Sequence, residues 1–451
     1  MIRLIQIALL SLLSATADER PPNVLMICID DLNDWVGFLG GHPDVKTPHM
    51  DRLAKQGLNF TNAHCVVPVC SPSRVSVISG LHATTHGSYD LGPSYQTIPR
   101  LKTAPCLQNW FKKHGYRTIA GGKILHHGFT GRLQEAIDLD LGGYGGPRPN
   151  KTLNGFSRAW DWGAYPETDG LMRDFQLAQK AAASLKENHE KPFFMSVGIF
   201  RPHVPMFVPQ KWFDLYDRDQ INLPKAPLSD LDDLPSNFRG RLNVEPTHAE
   251  VLEKKQWRDM VHAYLACVSF ADHCVGTVLE GLNSGPHKDN TIVVLWSDHG
   301  FHLGEKQKWA KRTLWEESTR TPFLIAGPGI KSGSTCPEAV SLLDLYPTLV
   351  DLCDLPAPPQ LDGLSLRPQL QDPTNPRKTP VLSSSYFGNH SLRTKNWRYI
   401  RYADGAEELY DHRNDPNEFT NLAKLPKHQA TRNRLAKWLP QSATPEVKRS
   451  Q

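Results

Sequence analysis

Two stretches constrain the fold more than any others. Residues 23–30 (NVLMICID) are almost unbroken apolar sequence ending in acids, and residues 291–297 (TIVVLWS) repeat the pattern and run into Asp298-His299-Gly300. A strand with one wet face alternates apolar and polar side chains. A strand without that alternation is covered on both faces, as in the sheet of an α/β protein. Residues 192–199 (PFFMSVGI) share this texture, and 117–120 and 322–326 are shorter candidates. Helical patterns fall between these strands. Thr47-Pro48 offers a cap and a first-turn proline, and Gly57 a stop, for a helix over 48–56. Further helices are predicted over 107–114, 171–188, 249–282 and 340–352. Strands alternating with helices predict an α/β fold with a large, mostly parallel, helix-covered central sheet. Residues 128–165 and 201–246, rich in Gly, Pro or Asp, read as loops. After Leu361 the texture changes: 381–387, 397–402 and 408–410 read as short antiparallel strands, and 426–439 as a terminal helix. The expected division is a large N-terminal domain over 18–360 and a smaller C-terminal subdomain over 361–451.

The first residues read differently. Met1-Ile2-Arg3 is a short positive start, residues 4–13 are apolar except for Gln6 and Ser11, and Ala15-Thr16-Ala17 is a small-x-small cleavage pattern. Residues 1–17 therefore read as a signal peptide, because the apolar run is far short of the about 20 residues a span needs. No later stretch reads as long and apolar enough to span a bilayer, so the expectation is an exported protein, periplasmic or secreted, without a membrane span. Lys plus Arg exceed Asp plus Glu by only 51 − 47 = 4, a balance too small to imply the clustered basic face of a nucleic-acid binder, and no nucleic-acid partner is expected. Eight cysteines without a C-x-x-C pair suit neither a disulfide scaffold nor structural zinc. Cys267 and Cys274, seven apart on one face of a predicted helix, are expected to pack, not bridge.

In open α/β sheets, ligands bind beyond the carboxyl ends of the strands. If the two apolar strands are parallel neighbours, Asp30, Asp31, Asp298 and His299 converge at one rim. Three carboxylates together call for a cation, and oxygen-dominated ligation favours calcium or magnesium over zinc. Alternatively, each acidic pair only begins a turn.

The segment Cys70-Ser71-Pro72-Ser73-Arg74, within CSPSRVSVISG, resembles the C-x-P-S-R signature of type I sulfatases. The resemblance extends over the mature chain through NVLMICIDD, TPHMDRLAKQGLNFTNAHC, WSDHGFHLGE and ELYDHRNDPNEFTNLA. It implies an alkaline-phosphatase-like α/β sandwich in which 18–360 is the catalytic domain. It also implies that a maturation enzyme oxidises Cys70 to formylglycine, whose hydrated aldehyde is a geminal diol. One hydroxyl of the diol would attack sulfur and expel the alcohol. The other, once deprotonated, would expel sulfate, splitting the reaction into two easier steps.

By motif, Asp30, Asp31, Asp298, His299 and the modified Cys70 would hold the metal, calcium or, in its place, magnesium. Arg74, one helical turn beyond Cys70, would hold the diol, and the helix start would face the anion. Lys123 and His126, in GGKILHH, would bind a sulfate oxygen and take the proton during elimination, with adjacent His127 the alternative to His126. His203, in FRPHVPM, would protonate the leaving oxygen, and Lys311, in GEKQKWAKRT, would neutralise sulfate or assist departure. Two departures stand out: Asp298-His299 where many sulfatases have Asp-Asn, and Leu81 where many have Arg. Together with Lys123-x-x-His126, PHVPM and Trp309-Ala310-Lys311, the first resembles the iduronate-2-sulfatase branch. The expected substrate is a sulfated acidic saccharide, led by 2-sulfated uronate. Two rivals remain: a phosphodiester or phosphonate ester hydrolase with the same machinery, and a silent polysaccharide-binding protein.

Overall fold

The computed structural model describes residues 20–235 and 246–448. The segment read as a signal peptide, 1–17, lies outside the described residues, as does part of the stretch read as a loop over 201–246. The apolar runs form the centre of an eight-stranded sheet. Its strands are β1 (Asn23–Ile29), β2 (Gly57–Phe60), β3 (Arg117–Gly122), β4 (Leu139–Asp140), β5 (Phe193–Ile199), β6 (Thr291–Ser297), β7 (Phe323–Ala326) and β8 (Ser334–Cys336), in the order β8-β2-β7-β6-β1-β5-β3-β4. Five neighbouring pairs are parallel, and β7 runs antiparallel to both of its neighbours. The sheet is therefore mixed, with the parallel half around β1.

Lack of alternation in β1 has the expected cause. Leu25, Ile27 and Ile29 enter one core, while Val24, Met26 and Cys28 enter the other. The main helices are α1 (Pro48–Ala54), α2 (Cys70–Ser79), α3 (Leu107–Lys113), α4 (Arg173–Lys186), α5 (Trp257–Asn283) and α6 (Leu345–Leu352). The first core is filled by α1, α4 and α5, the second by α2, α3 and α6. Each fully buried Leu or Ile stabilises the fold by about 1.5–3 kcal/mol. All eight cysteines are buried free thiols, Cys267 and Cys274 among them.

Several boundaries differ from the sequence reading. The pattern over 249–282 is two helices, not one. His248–Glu253 starts with a capping box between Thr247 and Glu250, and Lys255, at φ +55°, breaks the chain before α5 begins. Apolar periodicity runs on through the break, so it carried no signal. Contrary to the expectation for later stretches, α5 is long and apolar enough to cross a membrane; 78% of its most apolar window is buried in the protein, as a core helix requires. Residues 340–341 pair as a strand with Ala63–His64 before α6 starts. The two stretches read as loops also hold structure: Trp162–Ala164 from one pairs in parallel with Met206–Val208 from the other. Beyond residue 361 lies an antiparallel sheet of four strands, β9 (Val381–Ser384), β10 (His390–Arg393), β11 (Trp397–Arg401) and β12 (Glu407–Asp411), followed by α7 (Gln429–Ala436). Sequence reading missed β10, whose His-Ser-Leu-Arg composition is polar although every residue in it is buried.

Candidate active site

The carboxyl ends of β3, β5, β1 and β6 lie side by side, with Gly122 opposite Gly198, Ile29 opposite Ile199, and Ile29 opposite Ser297. Each strand delivers residues to the same rim: Lys123 after β3, His203 after β5, Asp30 and Asp31 after β1, Asp298 and His299 after β6. Gly198 makes the close approach possible, since a Cβ there would stand 2.3 Å from the Lys123 carbonyl oxygen. Opposite the rim, α2 begins at Cys70, and no side chain caps its first turn, so the exposed amide dipoles face the site.

Cys70 is buried. Its Sγ is 3.0 Å from Lys311 Nζ, 3.3 Å from His299 Nε2 and 3.7 Å from Asp31 Oδ1. Arg74 is also buried and reaches the carboxylates, donating from Nε to Asp298 Oδ2 at 2.7 Å and from Nη2 to Asp30 Oδ1 at 3.0 Å. Its Nη1 donates to the Lys123 and Ile124 carbonyls. Lys123 Nζ donates to Asp30 Oδ2, and Lys311 Nζ to Asp31 Oδ1. His203 Nε2 stands 3.7 Å from Asp31 Oδ2 and 3.9 Å from Asp30 Oδ2, while Nδ1 donates to the Val204 carbonyl at 2.6 Å. That bond fixes the ring with Nε2 toward the carboxylates, and Phe200 stacks against it at 4.6 Å. His299 Nδ1 is anchored in the same way, 2.9 Å from the Gly300 carbonyl.

The cations set the ionisation of the acids. Burial opposes charge on Asp30, yet Lys123, His203 and Arg74 hold its carboxyl well below the usual range. At Asp31, burial is overcome by His203 and Lys311, and the value falls to about 2. For Asp298 burial outweighs Arg74 and His299, and the carboxyl is raised. Burial lowers His299.

Nine of the ten residues singled out from sequence thus share one site. His126 stands farther out: it is half-buried, its Nδ1 has no partner, and it lines a small crevice with Ser71, Tyr95 and His127. Burial and the Lys123 charge push its imidazole down to about 3, so it is neutral. Sequence reasoning missed three supports. Ser73 Oγ donates to the Asp298 carbonyl at 2.5 Å, Tyr264 hydroxyl donates to the Asp31 carbonyl at 2.7 Å, and Phe200 lies under both His203 and Lys123. Ser73 stood inside the CSPSR motif; Tyr264 and Phe200 had no sequence signal.

The donor set fits a divalent cation. Asp31 Oδ2 is buried with no hydrogen-bond partner and, among the described residues, is faced only by His203 Nε2, at 3.7 Å, so a cation would complete it. Asp30, Asp298, His299 and Cys70 each bring a ligand atom within 4.8 Å of the others.

The family model described as Sulfatase matches residues 22–355. The chain belongs to the sulfatase family. A second model, described as N-sulphoglucosamine sulphohydrolase, C-terminal, matches residues 304–444 of this sulfatase. A curated protein named Sulfatase from Formosa agariphila is 37% identical over 96% of this chain and 90% of its own length. Human arylsulfatase K is 29% identical over 90% of this chain and 80% of its own length. Among solved structures, a 2-O GAG sulfatase superposes with a TM-score of 0.73 at 24% identity, covering 93% of this chain and 91% of that one. The alkaline-phosphatase-like fold with its small C-terminal antiparallel sheet is shared with that structure. None of these three bears the iduronate-2-sulfatase name to which the motifs pointed. The sulfatase family hydrolyses sulfate esters, and that is the activity of this chain.

Proposed function

We propose that this sulfatase is exported and acts on acidic saccharides, with 2-sulfated uronate as its substrate class. Residues 18–360 form its catalytic domain and 361–451 its C-terminal subdomain. The observation that carries the site assignment is the placement of Cys70 at an uncapped helix start, within 3.0–3.7 Å of a lysine, a histidine and an aspartate. The Lys311 ammonium beside this side chain and the uncapped helix start beneath it suit attack on an anionic sulfur centre. Formylglycine at position 70, when formed, supplies the geminal diol that serves as nucleophile. Asp30, Asp31, Asp298 and His299 would hold a calcium ion, or magnesium, whose charge polarises sulfate oxygens when it is bound.

The other side chains have roles set by their positions. Lys311, in contact with both Cys70 and Asp31, neutralises sulfate at the nucleophile. Lys123 offers a second fixed ammonium. His203 presents Nε2 into the site with its Nδ1 proton committed to a carbonyl, so in its protonated state it can donate to the departing alcohol oxygen. The base in the elimination of sulfate is assigned to His126 on its motif alone, since burial and Lys123 hold its imidazole down at about 3 and it stands outside the cluster. Arg74 spends its donors on Asp30, Asp298 and two carbonyls, which holds the acids and the Cys70 helix in one geometry.

The substrate reading is tested with a panel: a 2-sulfated uronate disaccharide, an aryl sulfate and a phosphodiester. The expected order places the disaccharide first by kcat/KM. Faster phosphodiester turnover would overturn it in favour of an ester hydrolase of phosphorus. Saccharide binding with no sulfate release from converted protein would indicate a silent binding protein.

A further inference from the structure

Beside the nucleophile stands an arginine whose donors are only partly used. Arg312 follows Lys311, whose Nζ touches Cys70 Sγ. The Arg312 amide donates at 3.1 Å to the carbonyl of Pro68, two residues before Cys70. Its carbonyl accepts at 2.7 Å from Ser385 Oγ, in the turn between β9 and β10. The guanidinium is half-buried. Its Nη1 donates to Asp90 Oδ1 at 2.6 Å and to the Tyr386 hydroxyl at 3.3 Å. Among the described residues Nε and Nη2 have no hydrogen-bond partner, and neither is cut off from solvent. These two form the edge of the guanidinium that offers parallel N–H groups to one oxyanion.

Its neighbours belong to the same rim. Leu91, next to Asp90, packs against Val66, Val67 and Val69, the segment that leads into Cys70, and its carbonyl is 3.4 Å from His127 Nε2. His127 in turn shares a crevice with Ser71. Contacts on both sides of Cys70, at Pro68 and at Ser71, thus bring the Arg312–Asp90 pair to the edge of the nucleophile. The β9–β10 turn adds two aromatic side chains, Tyr386 and Phe387, which are 38% and 45% exposed. Phe387 rests edge-on against Tyr89 at 5.7 Å, and the Arg312 guanidinium lies 5.9 Å from the centre of the Tyr386 ring. Arg312 and Tyr386 both have positive φ, +80° and +58°, a backbone state that bulky side chains rarely adopt and that gathers at binding sites. A mere tie between two loops needs no exposed ring and is served best by a two-pronged arginine–carboxylate pair; here the contact to Asp90 has one prong.

We propose that Arg312 selects for acidity: with the sulfate ester at Cys70, its Nε and Nη2 donate to a second anionic group of the saccharide, and the Tyr386 turn carries the adjoining sugar face. The inference deepens the substrate reading above and rests on it. Groups that handle only sulfate cannot tell an acidic sugar from a neutral one. An open arginine fork beside them can, because planar two-pronged pairing rewards a carboxylate or sulfate and nothing neutral. Aromatic faces beside it suit the apolar face of a sugar ring. The shared chemistry is an oxyanion, from a uronate carboxylate or a second sulfate.

The test compares wild type with Arg312→Gln and Asp90→Asn, each at equal conversion of residue 70. Probes are a 2-sulfated uronate disaccharide, its carboxyl-reduced counterpart, and that counterpart bearing a second sulfate. Wild type should prefer one of the two dianionic probes over the monoanionic one by kcat/KM. Arg312→Gln should reduce that ratio by about tenfold or more, and the probe whose advantage is lost identifies the anion as carboxylate or sulfate. Asp90→Asn loosens the same tie but keeps the guanidinium, so the ratio should hold at the wild-type level or rise. An unchanged ratio in Arg312→Gln overturns the proposal, and so does a wild type without preference. An equal fall in Asp90→Asn also overturns it, since the tie alone would then explain the loss. If wild type turns over only an aryl sulfate, the uronate reading fails by itself, and the subsite is read from inhibition of that turnover by the same three probes. Tighter inhibition by a dianionic probe, lost in Arg312→Gln, would sustain the subsite; equal inhibition by all three, or none, would sink it.

Discussion

At position 31 the backbone sits at φ +58°, a conformation that costs an aspartate about 1 kcal/mol or more. Its neighbours hold it there. The Asp31 amide donates to Asp298 Oδ1 at 3.1 Å, and the Tyr264 hydroxyl both donates to the Asp31 carbonyl and accepts from the Asn33 amide at 2.9 Å. One residue is thus fixed by β6 and by a phenol from α5, so that its carboxylate meets Lys311 and its free oxygen faces the cluster. Tyr264→Phe removes both bonds and keeps the ring. It should lower stability by about 1–3 kcal/mol in thermal or urea unfolding and also slow sulfate release. Unaltered stability and rate would remove Tyr264 from the support of the site. The acids at 30, 31 and 298 were legible because each follows an apolar strand. Tyr264 was not, since its role depends on how a helix more than 230 residues away packs against β1.

Strand ends and one helix start build the site, and two changes test those elements. Gly198→Ala would place a Cβ 2.3 Å from the Lys123 carbonyl oxygen and 2.6 Å from its amide nitrogen, contacts that only backbone movement can relieve. Overpacking of this kind costs about 3 kcal/mol and should displace Lys123, with a loss of kcat/KM exceeding any change in expression or folding. Equal activity would show that Lys123 needs no close approach of β3 to β5. The helix of Cys70 is braced by His86, whose Nε2 is 3.0 Å from Ser76 Oγ. Burial pushes His86 down to about 3 from an ordinary value of 6.5, so between these values the unfolded chain binds the proton and the folded chain does not. Stability from this group is therefore lost as pH falls below about 6.5. His86→Gln should gain on wild type between pH 7 and pH 5 in urea unfolding; a difference that stays constant would contradict neutral burial. At this scale the sequence showed the fully buried strands well, because covering both faces removes alternation. It concealed β10, whose Arg393 is paired with Glu316 at 3.1 Å, and it concealed the break at Lys255, where periodicity continues through a change of helix.

Across the whole molecule, the C-terminal sheet supports the loop that carries Lys311. Buried Arg398 of β11 donates to Glu418 and Glu316 and, at 3.0 Å, to the Leu314 carbonyl; Trp315 Nε1 donates to Glu408 Oε2 of β12 at 2.8 Å. Residues 314–316 follow Lys311 directly, so the small sheet grips the chain within a few residues of the site. Arg398→Met would leave Glu316 and Glu418 short of a buried partner, and should cost about 3 kcal/mol or more while reducing sulfate release. Retained stability would mean that the sheet is not coupled to the loop. The fold class and the meeting of strand ends were legible as patterns along the chain; this coupling was not, because charged residues in short strands give no sign of being buried. The most direct test of the catalytic assignment uses preparations converted to different extents at position 70. The tryptic peptide 56–74 gives the aldehyde fraction by mass, and Cys65 within it serves as an unconverted control. Initial sulfate release from a 2-sulfated uronate disaccharide should rise in proportion to that fraction and extrapolate to zero at no conversion. Release that does not depend on conversion would show that the chemistry lies elsewhere than at Cys70.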